Sequence, residues 1–206
     1  MSPVHEVTDV AMLEALYGPA VQRSLDKEID HLSAHYRAFV EAAPFVALAS
    51  AGIGGLDVSP RGDAAGFVTV EDSKTLLLPD RRGNNRIDTL RNIVSDPRVA
   101  LLFLVPGIGE TLRINGRAAI SVEPSLLARF AVDAKQPRTV LVVKIERVYF
   151  QCSRAAVRAD LWNPNRHVPR ASLPSTGEIL EALARDGFDG RAYDAELPSR
   201  VATSLY

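Results

Sequence analysis

The stretch of this chain best equipped for chemistry is Leu78-Pro79-Asp80-Arg81-Arg82-Gly83-Asn84-Asn85-Arg86-Ile87-Asp88-Thr89-Leu90. It leaves an apolar run, passes through a Gly-containing turn rich in cations and amides, and enters a helical pattern whose free N–H groups point back at the turn. Backbone donors, a helix dipole and Arg forks together favour a phosphate dianion. From spacing alone a second reading stands beside it, a capped helix carrying solvated arginines. Arg81, Arg82, Arg86 and Arg91 form a basic cluster without interleaved aromatics, which suits one phosphate better than a nucleic-acid track.

Other reactive residue types point nowhere in particular. His31 and His35 lie four apart on a helical pattern but lack the acidic surroundings of a zinc motif, so they read as a solvated face and no metal is expected. Cys152 has no neighbouring His and sits among apolar residues, which predicts a buried, inert thiol. Arg61-Gly62-Asp63 reads as a strand end and turn. No Gly-x-Gly-x-x-Gly opens a helix after a strand, so a Rossmann nicotinamide site is not indicated.

The elements that must position these residues can be read from periodicity. Thr8 and Asp9 cap a short helix over Val10 to Tyr17, which Gly18-Pro19 ends. Val21, Leu25, Ile29, Leu32, Tyr36, Phe39 and Val40 then recur at three- and four-residue steps, predicting one longer helix up to Pro44. Short β-rich runs follow at Phe45 to Ala49, Leu56 to Pro60, Phe67 to Val70, Thr75 to Leu78, Val99 to Val105, Thr111 to Val122 and Thr139 to Phe150. Helices interrupt them at about Asn85 to Val94 and Glu123 to Val132, so strands and helices do not alternate regularly. That pattern predicts a closed or partly closed antiparallel barrel in preference to a parallel sheet. In the tail, Ser175-Thr176-Gly177-Glu178 makes a capping box for a helix of about ten residues closed by Gly187.

The 206 residues carry 47% hydrophobic side chains, enough for one substantial core. Lys and Arg number 24 against 25 acidic residues, and a net charge of −1 offers no global field for nucleic acid or an anionic membrane. A single cysteine excludes an internal disulfide framework, and no apolar run resembles a signal peptide or a membrane span. A cytoplasmic protein is expected.

Several runs share an order and spacing with a known family. They are Ser59-Pro60-Arg61-Gly62-Asp63, Gly66-Phe67-Val68, Leu78-Pro79-Asp80-Arg81, Gly83-Asn84-Asn85-Arg86, Asp96-Pro97-Arg98-Val99 and Thr111-Leu112-Arg113-Ile114-Asn115-Gly116. Together they resemble the FMN-binding core of the pyridoxamine 5′-phosphate oxidase-like flavoproteins, closest to a branch of FMN-dependent enzymes of unassigned substrate. The likeness covers about residues 44–165 and, more weakly, 193–206. It implies a mainly antiparallel split β-barrel with peripheral helices (α+β), in which helices of residues 1–43 pack on a barrel of residues 44–165 and residues 166–206 form a helical extension of the same domain. It also implies a homodimer with FMN at the subunit interface.

Residue by residue, the resemblance places Arg61 on an early strand reaching the flavin phosphate. Asp80, Arg81, Asn84, Asn85 and Arg86 fall at the phosphate-binding turn, and Arg113 on a later strand beneath the flavin. Arg158 and Trp162 fall in a segment that reaches across the dimer, where Trp162 would lie against the isoalloxazine and Arg158 near its pyrimidine side. For Trp162 ordinary packing is an equal alternative. The departures are a Gly-Asn-Asn-Arg turn in place of a tighter Arg-Lys pair, Ala159 where the family often has serine, and no C-terminal Arg-x-His signature. They point away from pyridoxamine 5′-phosphate oxidation itself. The expected function is an FMN-dependent oxidoreductase of unknown small-molecule substrate, with NAD(P)H a candidate donor and no separate catalytic residue. The alternatives are a flavin carrier or sensor without turnover, or a barrel that holds another cofactor such as haem or a deazaflavin.

Overall fold

A computed structural model describes residues 5–184 and 187–206. Seven strands form one antiparallel sheet: β1 (Phe45–Gly52), β2 (Gly55–Gly62), β3 (Thr69–Asp72), β4 (Thr75–Asp80), β5 (Arg98–Leu104), β6 (Thr111–Ser121) and β7 (Thr139–Gln151). Their order is β2-β1-β5-β6-β7-β4-β3, so β2 and β3 are the edges of a sheet that curls without closing. This is a split β-barrel, as expected. Its concave side carries the core, where Leu48, Leu76, Leu78, Leu101, Phe103, Leu112 and Ile114 are fully buried. Alternation sets that face: in β5, Val99, Leu101 and Phe103 point inward while Ala100, Leu102 and Leu104 are half-buried on the convex side.

One long irregularity shapes the barrel. β6 and β7 change register between Asn115 and Gly116, where Gly116 opposes Ile145 and Asn115 opposes Arg147, so Glu146 is the extra residue of a β-bulge. A Cβ on Gly116 would stand 2.2 Å from the Lys144 carbonyl oxygen, so only glycine fits. Inward positions on β7 accordingly run through Val143 and Ile145 before the bulge and Val148 after it.

The helices differ from expectation in one respect. The apolar stripe from Val21 to Val40 is not one helix but two, α2 (Gln22–Asp26) and α3 (Ala34–Ala42), preceded by α1 (Val10–Tyr17). Between them Ile29 forms a β-bridge with Val148, and the Tyr36 hydroxyl donates to the Lys27 carbonyl at 2.7 Å. Ser33 then caps α3 by accepting from the Tyr36 N–H. Pairing with the barrel thus overrides helical continuation. α3 buries Val40 and packs on β3, β6 and β7, whereas α1 and α2 contribute no buried residue.

The remaining helices are α4 (Asp88–Ser95), α5 (Pro124–Arg129), α6 (Arg154–Ala159), α7 (Thr176–Leu183) and α8 (Gly190–Ser204). The capping box of α7 is present, but the helix ends at Leu183, short of Gly187, with residues 185–186 outside the described set. α7 and α8 touch through backbone: a Cβ on Gly177 would stand 2.0 Å from the Gly190 carbonyl oxygen. Cys152 is exposed, not buried as expected, because β7 ends at Gln151 and the chain has already left the core. Among the described residues no helix is long and apolar enough to cross a membrane, and no group of His, Cys, Asp and Glu is placed to hold a metal.

Candidate functional site

Register places two charged side chains at the open end of the barrel. Arg61 opposes Val46, whose side chain is fully buried, so it projects from the inner face of β2. Asp80 opposes Thr139 at the end of the row in which Leu78 meets Leu141, so it projects inward from β4. Edge strand β3 pairs only with Thr75 to Leu77 of β4, so the Asp80 end of β4 is left bare toward the other edge strand, β2, and the Arg61 Nη1 to Asp80 Oδ1 contact of 3.0 Å spans the split. The two side chains keep 21% and 18% of their exposure. Burial pushes the Asp80 carboxyl above the ordinary carboxylate range, against the pull of Arg61 and Arg138.

A cavity of about 750 Å³ lies over this pair. Its walls carry Arg61, Arg81, Arg82, Arg86, Lys135 and Arg138 against Asp57, Asp80 and Asp88, a surplus of positive charge in a chain that is otherwise balanced. Ser59, Asn84, Asn85, Thr89, Gln136, Thr139 and Tyr206 complete the polar lining. Two polar atoms at the floor, Arg61 Nε and Thr139 Oγ1, are buried with no hydrogen-bond partner among the described residues. Such atoms cost about 1–3 kcal/mol each and are relieved by a polar ligand or water.

The turn leading into α4 is strained. Asn85 and Ile87 both have positive φ, at 59° and 52°, and a β-branched residue in this region is costly. The conformation is held by contacts. The Arg86 N–H donates to Asn84 Oδ1 at 3.0 Å, Arg138 Nη1 donates to Asn85 Oδ1 at 3.1 Å, and Thr89 donates to Asp57 Oδ2 at 2.7 Å, tying α4 to β2. The Arg86 guanidinium pairs with Asp88 and is otherwise exposed.

Arg81 is committed elsewhere. Its Nε donates to Asp63 Oδ2 at 2.7 Å, its Nη1 donates to the Phe130 carbonyl at 2.6 Å, and its guanidinium lies 5.4 Å from the centre of the Tyr206 ring. The Tyr206 hydroxyl in turn donates to Asp63 Oδ1 at 2.6 Å. Burial raises the Asp63 carboxyl, but the bonds from Tyr206, the Ala64 N–H and Arg81 outweigh it and hold the group below its ordinary value. A depressed carboxyl stabilises the fold above the ordinary carboxylate range, and that contribution is lost as pH falls through the lowered value. Tyr206→Phe keeps the ring over Arg81 and deletes one hydrogen bond, so it is expected to cost about 1 kcal/mol of docking. Faster amide exchange confined to the last turns of α8 checks this; uniform exchange across barrel and tail would contradict it.

The structure therefore gathers Arg61, Asp80, Arg81, Asn84, Asn85 and Arg86 around one cavity. It does not bring Arg113, Arg158 and Trp162 to that cavity within one chain. Arg113 opposes Leu102 on one side and Tyr149 on the other, hydrogen-bonds the Tyr149 hydroxyl at 2.8 Å, and faces outward. From Thr139 to Tyr149 is roughly 33 Å of strand at about 3.3 Å per residue. Arg158 is exposed on α6, and the Trp162 Nε1–H donates to the Ile108 carbonyl at 2.8 Å, beside the β5–β6 turn. Asp57, Lys135, Arg138, Thr139 and Tyr206 were not anticipated from sequence. The cluster Lys135-Gln136-Pro137-Arg138 just before β7 was the available signal for two of them.

A split barrel with a cation-lined cavity at its strand-to-helix turn defines the class of protein. The sequence model of the pyridoxamine 5′-phosphate oxidase family matches residues 32–152, and the chain belongs to that family. Every cavity residue except Tyr206 lies inside the matched range, while Arg158 and Trp162 lie outside it. No curated protein matches the chain. Among solved structures, HupZ of Group A Streptococcus is similar at 17% identity over 59% of this chain and 95% of its own, with a TM-score of 0.49. A candidate pyridoxamine 5′-phosphate oxidase of Lactobacillus delbrueckii is similar at 21% identity over 59% and 95%, TM-score 0.45. A Clostridium acetobutylicum protein related to general stress protein 26 follows at 14% identity over 57% and 86%, TM-score 0.45. Such distant likenesses say nothing of ligand or chemistry.

Proposed function

We propose that this chain binds FMN and works as an FMN-dependent oxidoreductase, as a homodimer. The observation that carries the reading is the cavity at the split, with its surplus of arginine and the two unpartnered buried polar atoms of Arg61 and Thr139. Its volume lies within the range of about 300–1,000 Å³ typical of small-molecule sites. When bound, the flavin ring supplies hydride or electron transfer. The protein's part is to anchor the phosphate, orient the ring and tune its surroundings. Arg61, Arg82, Arg86 and Arg138 are the cations assigned to the anchor, since Arg81 is held by Asp63 and Phe130.

Dimerisation is supported by the convex face of the sheet. Leu56 and Val58 on β2 are 89% and 66% exposed, and beside them run Ala47 and Ala49 of β1 and Ala100 and Leu102 of β5. Arg113 lies on the same face, opposite Leu102. In the proposed dimer, Arg113, Arg158 and Trp162, which one chain does not bring to its own cavity, are assigned to the flavin of the other subunit.

Purified protein tests the reading. A yellow preparation that releases FMN on denaturation and is bleached by NAD(P)H supports the oxidoreductase. A yellow preparation that NAD(P)H does not bleach supports a carrier or sensor, and a colourless one that ignores added FMN overturns the proposal. Arg86→Ala should weaken FMN by roughly tenfold and riboflavin hardly at all, as expected for loss of one charge-assisted contact. Equal losses for both ligands would remove Arg86 from the phosphate anchor.

A further inference from the structure

The Arg61–Asp80 pair poses a chemical problem if the cavity takes a dianion, because the cation best placed at its floor is already neutralised by a carboxylate. We propose that Asp80 is a resident counter-ion which an incoming dianion displaces from Arg61, and that Asp80 takes up a proton from solvent as it is displaced. The inference rests on the anion-binding reading given above.

Three observations carry it. The pair is mostly buried and spans the split, so Asp80 has no ready exit to bulk water when its cation is taken. Arg61 keeps a buried Nε without a partner, so its present arrangement uses less than its full donor set, and an oxygen-rich ligand can satisfy more of it. The surroundings offer Asp80 no second strong partner. From the segment before β7 it feels Arg138, whose Nη1 is bonded to Asn85, and on β7 it meets Thr139, whose hydroxyl is unpartnered. Beside it Arg81 is held by Asp63, and across the cavity Asp57 adds only negative charge. A carboxylate left there beside a bound dianion would be both desolvated and repelled, and protonation removes both penalties. Its carboxyl already sits above the ordinary range with Arg61 in place. Once Arg61 turns to the ligand, the value rises further, so protons are bound on complex formation and affinity falls as pH rises. Asp80 thereby makes dianion binding depend on pH.

Sulfate is the discriminating probe, since it stays a dianion throughout. Calorimetric titration of the full chain with sulfate, in two buffers of different ionisation heat, should show up to one proton taken up per anion. The dissociation constant should rise toward a limit of about tenfold per pH unit. Asp80→Asn should take up no proton and bind sulfate about tenfold more tightly near pH ~8. Sulfate bound by the wild type without proton uptake, or no more tightly by Asp80→Asn, overturns the inference, and the first arm needs no variant to fold. FMN titrated in parallel separates this from the flavin reading. FMN binding without proton-coupled sulfate binding overturns displacement alone. Proton-coupled sulfate binding without FMN binding overturns the flavin reading alone, and failure of both ligands overturns both.

Discussion

Arg61→Ala is expected to cost about 3 kcal/mol of stability and most of the affinity for the proposed FMN. It removes the cation that joins β2 to β4 across the split and leaves Asp80 buried beside Thr139 without its partner. Breaking one half of a buried pair costs about 3–5 kcal/mol. The lower end applies because Asp80, already raised by burial, can take up a proton. The sign of the pH dependence follows. A carboxyl whose folded value is raised favours the fold below its unfolded value, and that contribution is lost as pH rises through the folded value. The deficit of Arg61→Ala should thus be smaller in mild acid than above neutrality. Urea unfolding at both ends of that range checks it, with Arg61→Ala/Asp80→Asn expected to recover much of the loss. A double variant as unstable as Arg61→Ala would show that the cost lies in packing of the arginine stem.

Ala49→Arg should convert the proposed dimer to monomer and strip it of the proposed flavin while leaving the barrel folded. Ala49 sits in the middle of the convex face, opposite Val58 on one neighbour and Ala100 on the other, where small side chains allow a partner sheet to approach closely. A charge there would be buried without a counter-ion in the dimer and free in the monomer. Its dissociation constant is expected to rise at least ~100-fold, about 3 kcal/mol. Sedimentation with flavin absorbance read in the same run follows protein mass and flavin together. A dimer of undiminished affinity would place the interface elsewhere, and a monomer retaining stoichiometric FMN would show that Arg113, Arg158 and Trp162 have no part in holding it.

The strands were legible because their signal is local. β1 alternates Val46, Leu48 and Ser50 inward against Ala47 and Ala49 outward, and β5 does the same with larger residues, so period two survives without any knowledge of partners. The helix predicted from Val21 to Val40 failed for the opposite reason. Its apolar spacing was equally regular, but Ile29 pairs with Val148, and a contact with a strand so distant in sequence leaves no trace in its neighbours. The site divides in the same way. Arg61, Asp80 and the Gly83 to Arg86 turn could be named because one segment and a family resemblance carry them. That Arg61 meets Asp80 across an open seam, or that Tyr206 reaches Asp63, depends on the curl of the whole sheet. α6 went unanticipated because it is short, and α8, which carries Pro198 within it, was expected only as part of a helical extension and left no periodicity of its own.

The bulge at Glu146 has a consequence for how this barrel can change over generations. Along β7, deleting any residue other than Glu146 or Arg147 would invert every side chain on one side of the cut, exchanging core for surface. At Glu146 the arithmetic differs. Ile145 points inward, Glu146 and Arg147 both point outward and Val148 points inward, so losing one of the two restores plain alternation with every other residue on its own face. Only the bend would go. A single-residue indel at this point can therefore alter the angle between the cavity end of the barrel and the Trp162 end while leaving the composition of both untouched. Lineages that differ in length here are expected to differ in curvature before they differ in chemistry.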